Sequence, residues 1–132
     1  MFAKSETPML VRAIFDASVE IDSTDSTNVV DLITPPILSP EGIYIGGIVA
    51  MCDEACTVRL WRHNGSGYFE LGSTGVSADT CTDILTGVGV PQLKNINGIN
   101  LPDDFKIAVS VETALTTGTL HVSTINAGLY GG

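Results

Sequence analysis

Basic residues are scarce in this chain: six Lys and Arg stand against fifteen Asp and Glu, leaving a formal net charge of −9. Such a balance repels phosphate backbones, and no basic cluster extends beyond Arg59 and Arg62, so direct nucleic-acid binding is not expected. Long hydrophobic runs are lacking as well. The longest, Ile43 to Cys52, falls far short of a membrane span and is interrupted by Gly46 and Gly47, so no membrane association is expected. The segment Met1-Phe2-Ala3-Lys4-Ser5-Glu6-Thr7-Pro8 has no apolar core and carries an acid, which argues against a secretory signal.

Histidine and cysteine are few. With only His63 and His121, a convergent catalytic or metal-binding set has little to draw on, and neither an enzyme nor a cofactor is expected. Cys52, Cys56 and Cys81 are odd in number, which fits reduced thiols in a protein made in a cytoplasm. Cys-x-x-x-Cys without a second pair is a poor zinc signature. Asp22-Ser23-Thr24-Asp25 lacks the central Gly and terminal Glu of an EF-hand loop and reads as a solvated acidic loop. Asn64-Gly65-Ser66 spells an N-glycosylation sequon but has no secretory context. Gly65 and Gly67 make no phosphate loop, because no Lys-Ser/Thr follows them.

Charged residues of both signs make up only 16% of the chain, against about a quarter in an average soluble domain. Hydrophobic residues reach 44% and mean hydropathy is +0.31. Either much of the surface faces other subunits, or the chain is a Thr/Ser/Gly-rich β-protein with a neutral polar surface. At 132 residues it suits one compact domain, large enough to bury a core without metal or disulfide staples. An N-terminal arm (1–9) would precede that domain (10–132).

What is abundant is alternation with period two. Val11, Ala13, Phe15, Ala17, Val19 and Ile21 predict one long half-buried strand. Residues 22–28 read as a loop, and 28–34 as a short strand stopped by Pro35 and Pro36. Residues 43–51, apolar on both faces, predict a central strand with a bulge at Gly46-Gly47. Asp53-Glu54 makes a turn, then a strand over 57–63, the hairpin turn Asn64-Gly65-Ser66-Gly67 and a returning strand over 68–72. Residues 73–86 are indecisive, and 87–98 read as loop. Phe105, Ile107, Val109 and Val111 mark the clearest strand. A last strand over 119–126 precedes a Gly-rich tail. No stretch sustains a helical period. The expected fold is all-β, a single-domain antiparallel β-sandwich of about eight strands, a jelly roll being one form open to it.

Trp61 shares a strand face with Arg59 and His63, opposite Val58, Leu60 and Arg62. One face must be core, and the large indole is expected there; were it outside, Arg59, Trp61 and Tyr68 would suit an interface, where such residues anchor partners. Phe2 in the arm is a fourth candidate contact.

The run Val58-Arg59-Leu60-Trp61-Arg62-His63-Asn64-Gly65-Ser66-Gly67-Tyr68 resembles a hairpin of small all-β structural proteins of tailed bacteriophages and prophages. Leu101-Pro102, Phe105 to Val111 and Gly128-Leu129-Tyr130 resemble the closing strands of the same group. The resemblance implies a virion component without catalytic residues. Most specifically, it implies a capsid decoration (cement) protein that bridges major capsid subunits, as a homo-oligomer with a trimer favoured. The alternative is a tail or tail-fibre component with host-glycan binding.

Overall fold

The computed structural model describes residues 10–14, 17–34, 43–89, 95–96 and 105–131. The arm 1–9 with Phe2, the Pro35-Pro36 strand stop and Leu101-Pro102 lie outside these residues. The strands are β1 (Leu10–Ile14), β2 (Ser18–Ile21), β3 (Val30–Ile33), β4 (Ile43–Cys52), β5 (Cys56–His63), β6 (Tyr68–Val76), β7 (Thr82–Asp83), β8 (Asn95–Ile96), β9 (Lys106–Val111) and β10 (Leu120–Gly131). Among the described residues, one short helix, α1 (Ile84–Val88), and a 3₁₀ turn at Ser23–Asp25 accompany the strands.

The strands form two antiparallel sheets, the β-sandwich that the alternation predicts. One has the order β1–β10–β4–β7, with β2 also on β10 and β8 also on β4; the other has the order β3–β9–β5–β6. β1 and β2 share one flank of β10, and β7 and β8 share one flank of β4, so each sheet is four strand positions wide. The chain therefore pairs as nested antiparallel ribbons: β5 with β6, β4 with β7 and β8, β3 with β9, and β1 and β2 with β10.

Alternation decides which side chains meet between the sheets. Ile48, Ala50, Cys52, Leu120 and Val122 come from one sheet, and Val58, Leu60, Ile107, Val109 and Val111 from the other, each almost wholly buried. Burying one such aliphatic side chain contributes roughly 1.5–3 kcal/mol. Ile84 and Leu85 of α1 and Phe105 extend the same core.

Several details depart from the sequence reading. The expected long first strand is two, because at Ala17 a side chain takes over the ladder. Ala17 N–H donates to Thr124 Oγ1 at 2.9 Å while Thr124 N–H donates to the Ala17 carbonyl at 2.9 Å. No bulge occurs at Gly46-Gly47, since β4 and β10 keep one register from Leu120↔Cys52 to Leu129↔Ile43. The register instead shifts between Leu60 and Trp61, where Gly72 and Glu70 are the partners and Leu71 is the extra residue. The returning strand runs on to Val76, and the Gly-rich tail is strand: Gly128 and Gly131 pair with Ile14 and Leu10.

The helix was not expected. Asp83 caps it by accepting from Thr86 N–H at 3.1 Å, and Gly89 ends it in the left-handed region at φ 80°. Five residues are too few to show a 3.6-residue period.

Candidate interaction faces

On the four-stranded sheet, the outward positions are Arg59, Trp61 and His63 of β5, Tyr68 and Glu70 of β6, Lys106, Ala108 and Ser110 of β9, and Asp31 of β3. These are the residues that alternate with the buried Val58, Leu60, Ile107, Val109 and Val111, or that pair with such neighbours. Trp61 is thus not core. It is half-buried on the outside, its Nε1–H donating to Ser110 Oγ at 2.8 Å. The inward position next to it holds Arg62, whose guanidinium carbon lies 5.2 Å from the centre of the Phe105 ring and covers the end of the core.

The polar groups of this face hold one another. Arg59 reaches Glu70 at 3.3 Å and Glu112 at 3.4 Å, and Lys106 reaches Asp31 at 3.5 Å. Tyr68 donates its hydroxyl to the other oxygen of Asp31 at 2.5 Å, and its ring meets His63 edge-on at 4.8 Å. Arg59 Nε is buried without a hydrogen-bond partner among the described groups. The structure therefore brings Arg59, Trp61 and Tyr68 onto one face, as their pairing across the hairpin requires.

The hairpin turn is built as its residues dictate. Asn64 Oδ1 accepts from the backbone N–H of Ser66 and of Gly67, each at 3.2 Å, and Gly65 supplies a φ of 100°.

The outer face of the other sheet is different in kind. Val49 and Met51 of β4 and Ser123 and Ile125 of β10 point outward, with Met51 46% and Ile125 47% exposed. Gly47, opposite Ile125, leaves that side chain over bare backbone. Asp83 of edge strand β7 pairs with Val49, and His121 of β10, 3.2 Å from Glu20 of β2, stands opposite Met51.

At one end of the sandwich, the turn Asp53-Glu54 does more than reverse the chain. Glu54 Oε1 accepts from the N–H groups of Thr116, Thr117 and Gly118 at 3.0, 3.0 and 2.6 Å, and Asp53 Oδ1 accepts from Thr119 N–H at 2.8 Å. The two carboxylates clasp the β9–β10 loop to the β4–β5 turn. Donation from Gly118, and then from Thr117 and Thr116, holds the Glu54 carboxyl below the ordinary carboxylate range. Asp22 is lowered too, first by the Thr24 hydroxyl and then by the Thr24 N–H.

The three cysteines are free. Burial, reinforced by the adjacent Cys52, pushes the Cys56 thiol up to about 12, which keeps it protonated and a poor nucleophile at neutral pH. Met51, Cys52, Asp53, Asp79, Thr119 and His121 line an open cleft of about 290 Å³. Among the described residues no group of three or more His, Cys, Asp or Glu is placed to hold a metal ion, and no helix is long and apolar enough to cross a membrane.

Comparison with models of protein families, with curated proteins and with solved structures found no match.

Proposed function

We propose that this chain is a non-enzymatic structural protein of a tailed-phage virion, a capsid decoration protein that bridges neighbouring major capsid subunits as a homo-oligomer, with a trimer favoured. The observation that carries the reading is the outer face of the six-stranded sheet. There Met51, Val49 and Ile125 form a diagonal apolar run, about half of Met51 and Ile125 being exposed. A neighbouring subunit covering such a run gains apolar burial, and Asp83 beside Val49 and His121 beside Met51 offer it polar partners at the edges of the run. The nested pairing and eight strand positions support reading the sandwich as a jelly roll, an architecture that recurs in shell-forming proteins. Arg59, Trp61 and Tyr68, on the opposite face, then point away from the shell. A place in the tail or its fibres is the second reading, favoured by those outward aromatic rings.

The test is to add the purified chain to particles that lack it and image them by cryo-electron microscopy. Density at regular sites on the shell is expected, lost with Met51→Glu and Ile125→Glu variants whose melting temperatures match the parent. Density on the tail alone, or none, overturns the decoration role.

A further inference from the structure

The two outer faces differ in chemistry, and that of the four-stranded sheet fits a small polar ligand better than a protein. Ala108 and Ser110 of β9 point outward, yet they are 0% and 1% exposed. Larger neighbours lie over them. Trp61, directly across from Ala108, reaches over Ser110 to bond it, and Tyr68 spans from edge strand β6 to Asp31 on the opposite edge strand β3. Trp61 is half-buried and Tyr68 37% exposed on this face, while the Trp61 N–H and the Tyr68 hydroxyl are already satisfied on the sheet.

Around the rings stand Asp31, Glu70, Glu112, Arg59 and Lys106, held in place by their ion pairs. A protein laid flat here would desolvate all of these pairs, a cost that their mutual attraction often fails to repay. A saccharide would not. Its hydroxyls can donate to the carboxylates and accept from the guanidinium while the pairs stay wet, and its C–H groups, slightly positive, suit the negative face of an aromatic ring. The chain's net charge of −9 disfavours anionic sugars and phosphates.

We propose that this face binds a neutral saccharide, one sugar ring stacked on Trp61 and Tyr68 and its hydroxyls bonded to Asp31, Glu70, Glu112 and Arg59. The site deepens the second reading above, yet it also stands with the first, because the apolar face that would meet a shell lies on the other sheet.

Trp61 is the single tryptophan, so its emission reports on this face alone. The purified chain is titrated with neutral oligosaccharides of glucose, galactose, mannose and N-acetylglucosamine, with sialyllactose and inorganic phosphate as anionic controls. A saturable change with at least one neutral sugar is expected. Glu112→Gln and Tyr68→Ala, checked for unchanged melting, should each weaken binding about tenfold, as loss of one charge-assisted hydrogen bond or one stacking contact would. Three results overturn the site: no response to any neutral sugar, a response preserved in both variants, or a response confined to the anions. None of these touches particle docking, which is read on Met51 and Ile125.

Discussion

Helix α1 sits against β6, with Gly87 against Thr74. A Cβ added at Gly87 would stand 2.5 Å from Thr74 Oγ1, 3.0 Å from its Cβ and 3.3 Å from its Cγ2. Rotation about χ1 of Thr74 can move the hydroxyl away, but it leaves the Thr74 Cβ where it is, so the helix itself must retreat by a few tenths of an ångström. Overpacking of this kind costs about 1–3 kcal/mol, and the better helix propensity of Ala over Gly returns at most about 1 kcal/mol. Gly87→Ala should therefore fail to stabilise, the net lying between about 0 and 2 kcal/mol of destabilisation, or a fall in melting temperature of up to roughly 8 °C for a domain of this size. Thr74→Ala removes Oγ1 and Cγ2 but keeps the Cβ, so it should recover only part of the loss in the double variant, giving a coupling energy of about 0.5–1 kcal/mol. Urea unfolding of the four proteins measures it. A stabilising Gly87→Ala, or additive single effects, would refute this packing of α1 on β6.

Glu54→Gln should lower the melting temperature at pH 7, because a neutral amide accepts the Thr116, Thr117 and Gly118 N–H groups less strongly. Since folding depresses the Glu54 pKa, its contribution is complete above the unfolded carboxylate value of about 4.3 and is lost as pH falls through the lower folded value. Melting curves of parent and variant should accordingly converge in acid; a constant gap from pH 7 down to strong acid would contradict the clasp. Leu60→Ala, at a fully buried position between the sheets, should cost about 2–5 kcal/mol in urea unfolding. A loss under about 1 kcal/mol would mean that Leu60 does not lie in the core.

Much of the fold was legible because its signals are local. Period-two alternation located β9, a run apolar on both faces located β4, and turn and proline signals bounded β3 and β5, each to within a few residues, while Asn64-Gly65-Ser66-Gly67 marked the hairpin turn between β5 and β6. What escaped was set by partners far along the chain. The break between β1 and β2 depends on Thr124, 107 residues from Ala17, and the Gly-rich tail is strand only because β1 and β4 flank it. The clasp by Glu54 joins residues 62 to 64 apart, so Asp53-Glu54 read as an ordinary turn. Helix α1 did leave a trace, an Asp cap and a closing Gly, but apolar periodicity cannot register over five residues.

Trp61 shows why ring size alone misleads. Strand β5 offers one buried row, and Val58 and Leu60 fill it, so the indole on the alternate row had to lie outside. The deciding signal was on another strand. Lys106-Ile107-Ala108-Val109-Ser110-Val111 reads as large inward and small outward at its centre, and small outward residues on a central strand leave room for a neighbour's ring to cover them. Had those two outward positions carried long side chains, Trp61 could not have reached Ser110 nor Tyr68 Asp31, and the face would be a plain charged surface. The aromatic cover is thus a joint property of β5, β6 and β9. Substituting Ala108 by a bulky residue would dismantle it as surely as removing the rings themselves.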